Sequence, residues 1–258
     1  MSRPSIDINS DMGESFGAWR MGADEGLMAH LSSANIACGA HAGDATVMRR
    51  TVRLARDHGV TVGAHPGFPD LQGFGRREMT MDPRDLEDCI VAQIGALAGI
   101  ARAEGVTLGH VKAHGALYNM AVRNRTLADA IARAIASFDR SLVMFGLPGS
   151  ELLEAGRAAG LRVAAEGFAD RSYEADGSLT PRSRPGAVIH DADAVVTRAV
   201  RMVRDGVVLT ATGETLPLRI DTICVHGDTP GADALARRLR AGLAEAGIDV
   251  RSLQSPHD

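Results

Sequence analysis

Residues 55–65, ARDHGVTVGAH, contain the elements that decide the fold: the end of a helix, a glycine and a short strand of β-branched and small residues. A glycine after the last helical turn is a common helix C-cap, and a short apolar run after it is typical of a buried strand. The pattern recurs at residues 101–110, ARAEGVTLGH, and less exactly at 158–166, AAGLRVAAE. The repeat predicts stacked helix–strand units of a barrel.

The same alternation extends over most of the chain. Strands are predicted at residues 6–9, 34–38, 61–64, 109–112, 142–146, 162–167 and 222–226. Helices are predicted at residues 22–31, 44–57, 83–103, 127–137, 150–159, 192–205 and 231–246. This α/β alternation predicts a mostly parallel sheet with helices outside it. Residues 171–189 are predicted to form a long loop and residues 207–218 a small hairpin, all within one domain, 1–258.

Composition excludes several classes of protein. The 258 residues carry a net charge of −4 without a basic stripe, which disfavours nucleic-acid binding. No apolar run approaches the roughly 20 residues of a membrane helix, and the polar N-terminal stretch is unlike a signal peptide. Three cysteines without C-x-x-C spacing favour a reducing, cytoplasmic location and argue against a structural zinc site.

Lysine usage singles out one position. The 28 basic residues comprise Lys112 and 27 arginines. Arginine and lysine differ in shape and hydration, so a lone lysine suggests a place that needs a compact ammonium. Chance survival of one lysine is the alternative.

Polar residues follow nearly every predicted strand. The carboxyl ends of parallel barrel strands meet on one face, where active sites lie, so these residues are expected to converge. They are Asn9, Asp11, Glu14, Asn35, His41, Asp44, His65, Lys112, His114, Glu166, Asp170, Arg171, His226 and Asp228.

Several of these residues allow two interpretations. Asp11 and Glu14 are either a general acid/base pair, or one of them caps the following turn. Asp7, inside the first strand, is either a buried catalytic carboxylate or a structural acceptor. Cys38 and Cys224 are interpreted as core residues rather than nucleophiles. A divalent metal is possible, with Asp11, His41, His65 and His114 as ligand types, although no local H-E-x-x-H motif fixes its geometry.

Residues 67–77, GFPDLQGFGRR, are either a lid over a small ligand, with Arg76 or Arg77 as an anion contact, or a loop anchored by its Phe rings. Tyr118 and Asn119, in the helix after His114, are expected to bind the same ligand. The sequence has no G-x-x-x-x-G-K-[ST] loop, no G-x-G-x-x-G after the first strand and no G-x-S-x-G. These absences exclude a P-loop and disfavour dinucleotide cofactors and serine-hydrolase chemistry.

Six motifs together resemble the LamB/YcsF family: DINSDMGESFG, ANIACGAHAGD, GAHPGFPDLQGFGRR, HVKAHGALYN, GFADRSY and TICVHGDTP. The resemblance covers about residues 6–248. This chain departs from the family at Ser10, Ala40, Ala45, Ala113 and Gly167, none of which removes a charged or imidazole group.

The resemblance implies a (β/α) barrel of the glycoside hydrolase/deacetylase type with seven strands. It also implies ATP-dependent cleavage of 5-oxo-L-proline to L-glutamate, together with 5-oxoprolinase subunits B and C. ATP would be the co-substrate from which a partner subunit phosphorylates the amide oxygen, and this chain would open the ring.

Roles in that reaction follow as expectations. Asp11 or Glu14 activates water, Lys112 and His114 stabilise charge on the activated oxygen, and Arg171 clamps the substrate carboxylate. The residues expected around the substrate are Asn9, Asn35, His41, His65, Arg76, Tyr118, Asn119, Asp170, Arg171, His226 and Asp228, with Asp170, His226 and Asp228 orienting the others. Two alternatives stay open: a self-sufficient metal-dependent deacetylase or amidohydrolase acting on a small amide, and a non-catalytic substrate-binding subunit.

Overall fold

Strands and helices alternate along residues 3–181, 183–225 and 231–254, which the computed structural model describes. The strands are β1 (Ser5–Met12), β2 (Ser33–Ala37), β3 (Thr61–His65), β4 (Leu108–Val111), β5 (Val143–Gly146), β6 (Arg162–Gly167), β7 (Val207–Leu209), β8 (Thr215–Pro217), β9 (Thr222–Cys224) and β10 (Asp249–Val250). The helices are α1 (Asp24–Met28), α2 (Ala45–Asp57), α3 (Pro83–Ala103), α4 (Gly115–Ala121), α5 (Arg125–Phe138), α6 (Glu151–Ala158), α7 (Ala192–Asp205) and α8 (Ala232–Glu245).

Seven parallel strands close into a barrel. Strands β1 to β6 pair in chain order, β9 follows β6, and β9 pairs back with β1. The short β10 pairs with the first two residues of β1, beside Ser5 and Ile6. The predicted seven-stranded (β/α) barrel is therefore confirmed.

Local sequence explains where the longer helices begin. The Asp44 carboxylate accepts hydrogen bonds from the backbone N–H groups of Thr46 and Val47 at the start of α2. The Asp82 carboxylate caps α3, and Pro83 occupies the first helical position, where its missing N–H has no intrahelical partner to lose. Helix α1 is shorter than the predicted 22–31, because it has no side-chain cap and Gly26 lies within it.

The other connections differ in character. Strands β7 and β8 form an antiparallel hairpin at the place predicted for one. Between β6 and α7 the described residues form turns and isolated bridges, such as Arg171 with Val188, where the long loop was predicted. In the part of the chain that the structure describes, no helix combines the length and apolar character needed to cross a bilayer.

Candidate active site at the carboxyl end of the barrel

Strand β1 presents three polar side chains to the barrel interior: Asp7, Asn9 and Asp11, at every second position. Its alternate residues Ile6 and Ile8 belong to the surrounding apolar core. Successive inward side chains of a tilted barrel strand lie in successive layers. The interior therefore has a lower, a middle and an upper polar layer, and only the upper one is at the carboxyl end.

The lower layer is structural. The buried Asp7 carboxylate accepts hydrogen bonds from Ser32 Oγ (2.6 Å), Ser33 Oγ (2.7 Å) and Thr222 Oγ1 (2.5 Å). Burial raises the pKa of Asp7, although the three hydroxyl groups partly offset this rise. Asp7 thus links β1 to β9 and to the start of β2. Of the two interpretations of Asp7, the structure supports a structural acceptor. Its donors are hydroxyl groups, whereas backbone N–H groups were expected.

The middle layer orients the upper one. Asn35 Nδ2 donates to Asn9 Oδ1 (2.7 Å) and to Asp11 Oδ1 (2.9 Å), and Asn35 Oδ1 lies 2.7 Å from His110 Nε2. Gly63 makes room for the imidazole, since a Cβ at that position would lie 2.1 Å from Nε2. Asn9 and Asn35 are fully buried beneath the site rather than on its surface.

Lys112 is the centre of the upper layer. Its Nζ lies 2.8 Å from Glu166 Oε1, 3.0 Å from Asp11 Oδ1 and 3.1 Å from Cys224 Sγ. It also lies 3.4 Å from Asn9 Oδ1, and the side chain is 5% exposed. The lone lysine of the sequence is thus a buried ammonium between two carboxylates.

Charge pairing outweighs burial in this layer. Burial by itself lowers the pKa of Lys112, but the Asp11 and Glu166 carboxylates hold it well above its usual range. Burial likewise raises the pKa of Asp11, but His65 and Lys112 bring it well below its ordinary value. Burial raises the pKa of Cys224 well above that of a free thiol. At neutral pH the layer therefore holds an ammonium, a carboxylate and a protonated thiol.

A cavity of about 270 Å³ opens above this layer. Its floor and walls include Asp11, His65, Lys112 and His114, and a volume of this size suits a small organic ligand. The remaining lining residues are Arg76, Ala113, Gly115, Ala116, Tyr118, Asn119, Phe168, Arg171 and Leu179. The cavity thus lies where parallel barrels hold their active sites.

Three histidines cluster at one side of the cavity. His65 Nδ1 lies 2.8 Å from the Lys112 carbonyl oxygen, and His65 Nε2 lies 3.3 Å from Asp11 Oδ2 and 3.0 Å from His114 Nδ1. His114 Nε2 lies 2.8 Å from the Phe74 carbonyl oxygen. The fully buried His41 ring stacks on that of His114 with centroids 3.8 Å apart. Burial lowers the pKa of His114 to about 3 and that of His41 well below its usual value, so both imidazoles are neutral.

Residues 67–77 are anchored over this cluster. Phe68 is fully buried, and the Phe74 ring packs edge-on against His41 and His114. Arg77 forms an ion pair with Asp70 within the loop. Arg76 instead lines the cavity, with its guanidinium 4.9 Å from the Phe74 ring centroid. Of the two interpretations of this stretch, the structure supports the anchored loop, and of the two arginines only Arg76 reaches the cavity.

The carboxylates predicted as a pair are separated. Asp11 lines the cavity, whereas Glu14 lies behind the histidines, with Oε1 3.8 Å from His114 Nδ1. Gly13, between them, has a φ of +67°, which turns the chain away from the strand direction. Asp11 is consequently the carboxylate placed to meet a ligand in the cavity.

The remaining predicted residues are distributed around the site. Tyr118 and Asn119 line the cavity, and burial together with the Glu166 carboxylate raises the pKa of Tyr118 well above its ordinary value. Arg171 also lines it, with its guanidinium donating to the carbonyl oxygens of Ala187 and Thr180. Asp170 is buried nearby without lining the cavity. His226 and Asp228 lie outside the described residues.

Sequence reasoning leaves two residues of the upper layer unassigned. Glu166 is recognisable at a strand end but receives no role, and Cys224 is interpreted as a core residue. Both contact Lys112. The signal for Glu166 is present, because an acidic residue at the end of an apolar strand needs a partner when buried. Cys224 offers no such signal, since it is also well suited to an apolar core.

The fold and the cavity together define a parallel α/β barrel with a polar cavity at its carboxyl end. The chain belongs to the LamB/YcsF family, which matches residues 6–258. It is 58% identical over 248 residues to the 5-oxoprolinase A subunit of Chloroflexus aggregans, covering 96% of this chain and 98% of that protein. It is 54% identical over 249 residues to the 5-oxoprolinase A subunit of Bordetella pertussis, covering 96% and 99%.

A solved structure agrees with this family assignment. The lactam utilization protein of Thermus thermophilus superposes with a TM-score of 0.93 at 47% identity, covering 96% of this chain and all of that one. The resemblance that the six sequence motifs indicated is therefore confirmed at the level of the family.

Proposed function

We propose that this chain is the ring-opening subunit of a multi-subunit 5-oxoprolinase, which cleaves 5-oxo-L-proline to L-glutamate with hydrolysis of ATP. The names of its relatives support the substrate, and because each relative is named as one subunit they also support an assembly. We assign the partners in that assembly as subunits B and C. The observation that carries the proposal is the ion pair of the buried Lys112 with Asp11 at the floor of a cavity of about 270 Å³.

Hydrolysis of a lactam needs help at the carbonyl oxygen and at the ring nitrogen that leaves. A lactam carbonyl is a poor electrophile, so a partner subunit first transfers a phosphoryl group from ATP to the amide oxygen. Water then attacks the activated carbon, the C–N bond breaks, and the ring nitrogen takes up a proton. The resulting acyl phosphate is hydrolysed to L-glutamate and inorganic phosphate. We assign the phosphoryl transfer to a partner because this sequence has no P-loop.

Asp11 is the group that we assign as base. It is ionised, it lines the cavity, and its second oxygen lies 3.3 Å from His65 Nε2. Asn35 and Lys112 hold the other oxygen, so the carboxylate has a fixed orientation toward a water molecule in the cavity. A positioned base of this kind contributes about 10²–10⁴-fold to a rate.

The basic side chains of the cavity have complementary roles. The Lys112 ammonium stabilises the negative charge that develops on the activated oxygen, where a water-poor site strengthens the interaction. His114, neutral at physiological pH, contributes a polar ring edge beside it. Arg76 and Arg171 lie in the cavity wall, where they bind the substrate carboxylate or the phosphoryl group.

Glutamate release from 5-oxoproline tests the proposal, using the purified chain with and without ATP and candidate B and C subunits. Turnover only in the full mixture with ATP is the expected result. Turnover by the chain alone without ATP would instead identify a self-sufficient amidohydrolase. Asp11→Asn is expected to lower the rate of the full mixture at least about 100-fold. Asp57→Asn, on the exposed end of α2, is the matched control. If Asp11→Asn retains full activity, the chain is not the ring-opening subunit.

A further inference from the structure

The two facing nitrogens of His65 and His114 are the first observation that points to a ligand. Each ring uses its other nitrogen on a carbonyl oxygen: His65 Nδ1 on Lys112 O, and His114 Nε2 on Phe74 O, both at 2.8 Å. A carbonyl oxygen only accepts, so those nitrogens carry the hydrogens. The two remaining ring nitrogens, His65 Nε2 and His114 Nδ1, face each other at 3.0 Å.

His41 is the second and independent observation. Its side chain is fully buried, and neither ring nitrogen has a hydrogen-bond partner among the described residues. Leaving a buried polar group unsatisfied costs about 1–3 kcal/mol, so an unsatisfied imidazole next to two facing ring nitrogens calls for a partner.

We propose that Glu14, His41, His65 and His114 form a binding site for a first-row divalent transition metal, of which Zn²⁺ is the probe. One ligand atom from each residue lies within 4.8 Å of all the others. Zinc–nitrogen bonds of about 2.0–2.1 Å in a tetrahedral site place neighbouring ligand nitrogens about 3.3–3.4 Å apart, so the His65–His114 contact of 3.0 Å needs only a small widening. The inference does not depend on the proposed reaction.

The donor set decides the class of ion. Three imidazoles and one carboxylate suit zinc and its neighbours, whereas Mg²⁺ and Ca²⁺ prefer all-oxygen sites. The carbonyl oxygens of Lys112 and Phe74 supply the second hydrogen bond that a metal-ligating histidine usually makes. Phe74 has a φ of +55°, uncommon for a non-glycine residue, and this backbone turn belongs to the loop that places its carbonyl at His114.

Two of the four side chains have to move when the ion binds. The His41 ring lies parallel to that of His114, within 3°, and two stacked rings cannot both aim a lone pair at one ion. We therefore expect His41 to turn out of the stack when it binds. Glu14 Oε1, 3.8 Å from His114 Nδ1, needs only a smaller shift. The bound ion would lie beside the cavity, where it would act as a Lewis acid toward a carbonyl or phosphoryl oxygen.

Metal binding is measured on the full chain after chelator treatment and dialysis, without reference to turnover. Zinc titration against a competing chelator, with metal analysis of the dialysed protein, is expected to give one Zn²⁺ per chain. His65→Ala and His41→Ala are each expected to weaken binding by more than about 100-fold, beyond the loss typical of second-shell changes. The control, His58→Ala, removes an exposed ring just after α2 whose Nδ1 bonds to the Leu54 carbonyl oxygen, and is expected to leave affinity unchanged.

A spectroscopic measurement on the unmodified chain guards against misfolded variants. Co²⁺ bound by these residues is expected to give the intense visible bands of four- or five-coordinate cobalt, and a spectrum equal to that of aqueous Co²⁺ would overturn the proposal. Absence of stoichiometric zinc, or zinc affinity unchanged in both His65→Ala and His41→Ala, would also overturn it. If the chain binds zinc as expected but its mixture with ATP and subunits B and C releases no glutamate, only the proposed ring-opening function is refuted.

Discussion

Replacing Lys112 by arginine keeps the positive charge and changes only its shape. The ammonium sits in a cage of four atoms, Glu166 Oε1 at 2.8 Å, Asp11 Oδ1 at 3.0 Å, Cys224 Sγ at 3.1 Å and Asn9 Oδ1 at 3.4 Å. A planar guanidinium is longer and wider than this point donor, so it must displace some of these atoms. Overpacking of a buried site costs about 1–3 kcal/mol of unfolding free energy.

The catalytic loss is expected to exceed the loss of stability. A misplacement of about 1 Å at a reacting group costs about 100-fold in rate, so Lys112→Arg is expected to lower kcat of the assembled enzyme by about that factor. Its Tm is expected to fall by about 2–12 °C, since 1 kcal/mol corresponds to about 2–4 °C in a chain of this size.

Glutamate release by the reconstituted complex with ATP, and thermal unfolding of the isolated chain, measure the two effects of this substitution. Arg102→Lys makes the reverse exchange at an exposed position in the last turn of α3, and both readouts should stay at wild-type values. Wild-type turnover by the Lys112→Arg complex would refute the argument that the site needs a compact ammonium.

Three further predictions concern packing, acid stability and substrate binding. Gly63→Ala is expected to lower the unfolding free energy, measured by chemical denaturation, by at least about 1–3 kcal/mol, because its Cβ would collide with the His110 ring. The control is Gly99→Ala, on an exposed helix face where a Cβ meets nothing within 4 Å, and it should be neutral or stabilising. Burial, with a smaller contribution from the nearby lysine charge, lowers the pKa of His110 to about 3. The unfolded chain, with an ordinary histidine pKa near 6.5, therefore binds more protons than the native one between about pH 6.5 and 3. The unfolding free energy should fall there by up to about 1.4 kcal/mol per unit of decreasing pH, and His110→Gln should flatten this slope in denaturant titrations at several pH values; an unchanged slope would contradict it. Arg76→Ala is expected to raise KM for 5-oxoproline about tenfold with little change in kcat, as loss of one charge-assisted contact implies, and an equal effect of the exposed Arg84→Ala would contradict a role in binding.

The fold was predictable because its signals are local. The helix end, glycine and strand at residues 55–65 repeat along the chain, and each repeat can be recognised without knowing what the strand pairs with. The repeat also predicted a barrel, but its closure by β9 on β1 is a contact across more than 200 residues that no local pattern identifies. The extent of α1 was overestimated, because apolar spacing alone does not show a missing cap.

The sequence indicated which residues gather near the cavity better than it indicated how far below the cavity each residue lies. Strand ends correctly brought Asp11, His65, Lys112 and His114 to one cavity, because parallel strands share a carboxyl end. Whether a residue lines that cavity depends on barrel tilt and strand register, which the sequence alone leaves open. Asn9 and Asn35 were expected at the substrate and lie one layer lower.

The polar interior of this barrel is continuous from its lower layer to the cavity. Asp7 accepts from Thr222 Oγ1, which in turn accepts from Asn9 Nδ2, and Asn9 Oδ1 accepts from Asn35, whose amide also reaches Asp11. Each member of this chain satisfies the next, so none of these buried groups is isolated. An ordinary apolar barrel core would leave the Asp11 and Lys112 side chains free to change rotamer. The buried network instead fixes the carboxylate oxygen that faces the cavity, and the orientation of the proposed base therefore depends on residues that no substrate touches.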